Sequence, residues 1–309
     1  MTAKPIQNPM TPTLWGLLIL LSVLWGGSFF FNGVLVRELP PMTIVFFRVF
    51  LAAIALHIWL IAQGDGLRVG LPIWIAFFAM GLLNNVVPFS LIVIGQTQLA
   101  SGVASIINAT TPLFTLVVAQ FLTEDERITW SKSAGLIVGF FGVFVLLGGF
   151  DGFSLDAPLY AYVACLAAAL SYGFAVVFGR RFKSLGIAPK HLAAGQLTAS
   201  SAMMLPLMMI VDRPWTLPVP SATAIASLLA LAVVATAFAY ILYFRVLAGA
   251  GATNAAIVTF LIPVSAILLG VTFLNEVLLV RHIGGMLLIG CGLLLVDGRL
   301  FRVGRKRTS

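Results

Sequence analysis

Charge is scarce in this sequence. Charged residues make up 9% of its 309 positions, against about 25% in soluble domains. So little charge leaves no room for a sizeable water-exposed domain. Acidic residues are fewer still, and all ten stand near the ends of apolar runs. No carboxylate therefore lies at membrane depth, which argues against a carboxylate relay for protons or sodium. Cysteines number two and histidines three. Cys165 and Cys291 lie inside apolar segments without metal-type spacing and read as small core residues. There is no HExxH, no pair of intramembrane aspartates and no His–Cys cluster. Nothing here activates a nucleophile or holds a metal, so a membrane-embedded enzyme is disfavoured and no cofactor is implied.

What fills the chain instead is hydrocarbon. Hydrophobic residues are 61% of it, and the mean hydropathy is +1.09. A helical span needs about 20 apolar residues. Ten such runs can be read, at 13–36, 41–62, 71–95, 100–122, 131–148, 157–180, 190–211, 220–245, 252–273 and 281–299. They are too long and too uniformly apolar for barrel strands, which alternate over about ten residues. The fold class expected is an all-α integral membrane protein.

Basic residues orient it. With the N-terminus inside, fourteen Lys and Arg fall on the inner side and only Arg37, Arg213 and Arg281 outside, leaving Arg48 within a span. The positive-inside rule then places both termini in the cytoplasm. The tail "RLFRVGRKR" reads as an anchor at an anionic leaflet rather than as a nucleic-acid site. The partners expected are the lipid bilayer and a small-molecule solute, with no nucleic acid, for a monomer or a dimer.

The halves echo each other. Glu126, Gly135 and Gly142 match Glu276, Gly285 and Gly292 at an offset of 150, and Pro112 matches Pro263 at 151. "LWGG" at 24–27 aligns with "LSYG" at 170–173 at an offset of 146, which pairs Gly27 with Gly173. Each repeat holds five helices. Five is odd, so the second copy lies upside down in the membrane. Inverted repeats are typical of secondary transporters, whose sites sit near the midplane between the halves. The organisation expected is a tail at 1–12, a first repeat at 13–148, an inverted second repeat at 157–299, and a basic tail at 300–309. A channel would more naturally be built from rings in a symmetric oligomer.

In this order the motifs resemble the drug/metabolite transporter superfamily, EamA type. They are "LWGGSFF" in the first run, an Arg in "VFFRVFLAA", a Pro in "NATTPLFTLVVAQFL", then a Glu and a Gly-rich fifth run. The second half repeats the later ones in "VTFLIPVSAILLGVTFLNE", but carries Gln196 opposite Arg48. The resemblance implies ten helices and non-ATP export of metabolites across a bacterial cytoplasmic membrane. It further implies amino acids, including aromatic ones, or else toxic compounds or sugars, as cargo.

Candidate site residues follow from polarity at depth. A proline removes the N–H that would bond the carbonyl four residues back. Pro88, Pro112 and Pro263 should thus free the carbonyls of Asn84, Asn108 and Thr259. Irregular backbone at membrane depth is tolerated where it is buried or lines a cavity. Trp25, Ser28 and Asn32 share one helical face in the first run, and Thr236, Tyr240 and Tyr243 share one in the eighth. Asn85, Tyr172 and Gln196 complete the polar set expected around a cavity. Arg48 is the single charge well inside a span, at a cost of about 2.5–3.5 kcal/mol. It reads as a structural anchor or as the partner of a substrate carboxylate. Gly27 is expected to be the structural glycine, and the stripe Gly135, Gly139, Gly142 a close helix contact.

Overall fold

The computed structural model describes residues 10–123, 129–149 and 155–297. Among them there is no strand. Ten apolar helical segments follow one another. We number them α1 Pro12–Leu35, α2 Pro41–Ala62, α3 Leu71–Gln96, α4 Ser101–Leu122, α5 Trp130–Leu146, α6 Leu159–Gly179, α7 Pro189–Asp212, α8 Ala222–Gly251, α9 Val258–Leu274 and α10 Val280–Val296. All but α5, α9 and α10 belong to the seven spans long and apolar enough to cross a bilayer by length and composition, and those three are 17 residues each. Seventeen residues is the short limit for a span. An even number of antiparallel segments returns the described chain to its starting side, so residues 10 and 297 share one face, here the terminal face. The other is the distal face.

Proline and glycine punctuate these helices. α1, α2 and α7 each open with a proline, where the missing N–H costs nothing. α8 outruns its expected end and stops where Gly251 takes φ 79°. A short helical turn then reaches Ala255 before α9 begins. α4 is interrupted by a turn at Ala109–Thr110, just ahead of Pro112.

The two five-helix segments interleave. α1 packs chiefly on α9 and α8 of the other segment, while α6 packs on α3 and α4. The two crossings are the same contact made twice. Gly26 of α1 lies against Ser265 and Ala266, so close that a Cβ there would sit 2.9 Å from the Ala266 nitrogen. Gly173 of α6 lies against Phe114 and Thr115, where a Cβ would sit 3.0 Å from the Thr115 nitrogen. Residues 114–115 and 265–266 differ by 151, the offset of Pro112 and Pro263. This contact corrects the sequence register. Gly26, not Gly27, is the counterpart of Gly173, and Trp25 is the counterpart of Tyr172. A Cβ on Gly27 meets nothing nearer than 3.8 Å. The two adjacent glycines hid the one-residue slip.

α2 and α7 form a second repeat-related pair, fastened at both ends. On the terminal face, Asp65 after α2 pairs with Lys190 at 2.5 Å and His191 at 3.0 Å. On the distal face, Asp212 ending α7 accepts the Thr43 N–H at 2.6 Å and its hydroxyl at 2.8 Å. Asp65 and Asp212 differ by 147, as do Thr43 and Lys190. In that register Gly195 stands opposite Arg48, and Gln196 is its neighbour. α5 and α10 form the third pair. Gly135 and Gly139 face Gly292, and Gly142 faces Gly285, with backbone against backbone. Close approach of this kind substitutes for the hydrophobic effect, which lipid does not supply between helices.

Candidate functional site

Six of the expected site residues meet in two neighbouring hydrogen-bonded groups on α2, α3, α7 and α8. Asn84 Nδ2 donates to Gln196 Oε1 at 3.2 Å and to the Tyr240 hydroxyl at 3.1 Å. Gln196 Nε2 donates to the same hydroxyl at 3.3 Å, which in turn donates to Asn85 Oδ1 at 3.4 Å. Arg48 Nε donates to Thr236 Oγ1 at 3.0 Å, and Thr236 donates on to the Leu231 carbonyl at 2.8 Å. Tyr172 and Tyr240 both lie within electrostatic reach of Arg48.

Two widened helical turns make this arrangement possible. Asn84 and Asn85 sit in a π-helical turn, Leu82–Val86, and Thr236 in a π-helical stretch, Ala230–Phe238. Such bulges rotate side chains out of α-helical register and recur at functional sites. They occupy α3 and α8, the third helix of each repeat. The π turn also changes the outcome at Pro88. In that register the carbonyl left without an N–H belongs to Leu83 rather than Asn84. Ser171 of α6 fills it, its hydroxyl donating at 2.8 Å. At Pro112 the expected carbonyl, that of Asn108, takes the Thr111 hydroxyl at 2.7 Å.

Arg48 is 6% exposed, and its guanidinium stacks 3.7 Å over the Phe89 ring. Among the described residues, only its Nε finds an acceptor. Its two terminal amino groups donate to no described residue, and neither is among the fully enclosed polar atoms that lack a partner. They lie within electrostatic reach of Tyr172 and Tyr240.

The other expected residues lie elsewhere. The Ser28 hydroxyl bonds to Trp25 of its own helix at 2.6 Å and joins no network. Trp25 packs against Tyr243, ring centroids 5.4 Å apart. Asn32 belongs to a separate cluster near the distal face. There its Nδ2 donates to Gln96 Oε1 at 3.0 Å, and Gln96 donates to the Phe29 carbonyl at 2.9 Å and to Ser101. Glu276 closes that cluster by accepting the N–H groups of Ser101 and Gly102 at 2.8 and 3.3 Å, capping α4. Glu126 lies outside the described residues. Asn108 keeps an enclosed Oδ1 without a partner. Thr259 is half-buried on α9, four residues before Pro263. A roughly 30 Å³ apolar void lies beside Pro263, and a cavity of about 290 Å³ opens near Asp156 and Tyr162.

Ser200, Phe89 and Gln96 join these clusters from outside the expected set. Ser200 accepts from Asn85 Nδ2 at 3.0 Å and lies one helical turn past Gln196, a spacing that could have flagged it. Gln96 ends the third run and resembles an ordinary interface residue until Asn32 and Ser101 are seen around it.

The comparisons agree with this architecture. The chain matches the EamA-like transporter family over residues 13–148 and over residues 159–297. An uncharacterized transporter of Bacillus subtilis, YoaV, is 29% identical over 282 residues, covering 89% of this chain and 94% of its own. The uncharacterized inner membrane transporter YedA of Escherichia coli K12 is 28% identical, covering 86% and 84%. A probable amino-acid metabolite efflux pump of Escherichia coli K12 is 26% identical over 296 residues, covering 90% and 92%. A crystal structure shares the fold with a TM-score of 0.65 at 20% identity, over 95% of this chain and 98% of that one. With helices apolar enough to span a bilayer and a family match over both halves, this chain belongs to the EamA-like transporter family of membrane transporters.

Proposed function

We propose that the protein exports small carboxylate-bearing metabolites, amino acids with apolar or aromatic side chains foremost, by alternating access about the Arg48 network. One observation carries this reading. A buried guanidinium presents two amino groups that donate to no described residue, near Tyr172 and near Tyr240, whose hydroxyl the Asn84 and Gln196 amides hold. Such a fork matches a carboxylate in geometry and charge. A single arginine suits a zwitterion and does not neutralise a polyanion such as a nucleotide sugar. Two further points support the reading: the printed name of the Escherichia coli efflux pump, and the repeat-related π turns in α3 and α8, which supply paired places to flex. With the basic residues on the terminal face, both termini are cytoplasmic and the distal face is external.

The test is counterflow in liposomes with radiolabelled phenylalanine, comparing wild type with Arg48→Gln. Losing a charge-assisted bidentate contact should cut uptake about tenfold or more while the variant still inserts. Equal counterflow by both proteins would remove Arg48 from substrate binding.

A further inference from the structure

The 290 Å³ cavity lies on the distal face, away from the Arg48 network. It is lined by Leu99, Val103, Tyr162 and Leu279, with Asp156 and His282 at one end. Its volume is close to the lower end of small-ligand sites, about 300 Å³.

The charged end is unusual. Arg281 and His282 stand in the first turn of α10, which contains no acidic residue. A helix N-terminus already carries about half a positive charge, so cations there are unfavourable unless an anion joins them. Asp156 supplies one carboxylate, paired with Arg281 and 3.4 Å from His282 Nε2. It does not satisfy all of their donors. Leu279 N–H donates to His282 Nδ1 at 3.3 Å, so the neutral ring carries its hydrogen on Nε2. That Nε2 is enclosed and has only the 3.4 Å contact with Asp156, too poorly aligned for a full hydrogen bond, and Arg281 Nε is unbonded. His282 itself is 3% exposed, whereas the Asp156 side chain is 45% exposed. A buried histidine and a partly buried arginine, each with idle donors, thus face a half-exposed carboxylate that can swing away.

We propose that this cavity is an external exit site for an organic carboxylate, in which Asp156 is a tethered competitor that the passing solute displaces from Arg281 and His282. The apolar wall of Leu99, Val103 and Leu279 would take the solute's side chain. That the carboxylate is the exported solute's own rests on the proposed function; the site itself does not.

The site can be probed by thiol protection in liposomes of zwitterionic lipid, which offer no anionic headgroup to compete. Gln98→Cys, at the exposed rim, is labelled with a membrane-impermeant maleimide in a Cys291→Ala background. Cys165 is buried. Millimolar phenylacetate should slow labelling about threefold, and phenylacetamide, its uncharged isostere, should not. Asp156→Asn should lower the half-protecting phenylacetate concentration about threefold, because it removes the competitor while leaving the donors. Arg281→Gln should abolish protection. Equal labelling with acid and amide would overturn the proposal, and so would weaker protection in Asp156→Asn. Protection is read without transport. Its absence with intact counterflow removes only the exit site; lost counterflow with protection intact removes only the transport reading.

Discussion

Replacing Gly292 by alanine tests whether the α5–α10 contact holds the protein together. A methyl there would stand 2.6 Å from both the Gly135 carbonyl oxygen and the Gly139 nitrogen, where ordinary contact begins at 3.4 Å. Both obstacles are backbone, so neither can rotate aside, and the helices must part by about 0.8 Å. A gap of 0.5–1 Å forfeits a quarter to a half of each ~0.1–0.2 kcal/mol contact. Over a few tens of atom pairs this is ~1–3 kcal/mol, the usual range for overpacking. Gly290, two residues away, has nothing within 4 Å of its would-be Cβ. Gly290→Ala therefore gains the same helix propensity, ~0.5–1 kcal/mol, without the clash. Comparing the two variants cancels that gain. Thermal unfolding in detergent, followed by circular dichroism, should place Gly292→Ala below Gly290→Ala. At ~2–4 °C per kcal/mol the gap is about 2–12 °C. Coincident transitions would refute the clamp.

Two further outcomes follow from the same contacts. Gly26→Ala should destabilise by ~1–3 kcal/mol while Gly27→Ala is tolerated, since only the first meets the backbone of α9; the reverse order would restore the sequence register. Asp65 is held down at about 2, from an ordinary 3.8, chiefly by its hydrogen bond to Lys190 and then by the Gly66 N–H. A depressed carboxylate stabilises the fold above its unfolded value and loses that contribution as pH falls. Acid titration of stability should therefore decline between pH 3.8 and about 2 in the wild type and flatten there in Asp65→Asn; an unchanged slope would mean the α2–α7 clasp contributes nothing.

The helices were legible because apolar length alone sets a span, and the glycine stripe was legible because its spacing is helical. The aspartate clasps were not, although Asp65 and Asp212 share an offset with Thr43 and Lys190. Loop carboxylates look alike until their partners are known. At the site, Arg48, Asn84, Gln196, Thr236 and Tyr240 stood out as polar groups in hydrocarbon, and they do meet. Ser28 stood out for the same reason and does not, because a serine hydroxyl can satisfy itself on the preceding turn. The freed carbonyl at Pro88 was misplaced by one residue because a π turn cannot be read from composition. Which polar residues share a network thus depended on register, which one sequence constrains weakly.

The interleaving of the repeats has a consequence for biogenesis. α1 leaves the ribosome first, yet its main partner, α9, follows more than two hundred residues later. At 5–20 residues per second the wait is on the order of 10–50 s. During it, the buried serines of α1, Ser22 and Ser28, wait in the membrane without that partner. Both hydroxyls bond to their own helix, Ser22 to the Ile19 carbonyl at 2.7 Å and Ser28 to that of Trp25 at 2.6 Å. Neither needs a neighbour to be stable in hydrocarbon. Asn32, which does need Gln96, sits close to the end of the helix, where water can stand in. The polar residues of α1 are therefore placed so that the helix can be inserted long before it is packed.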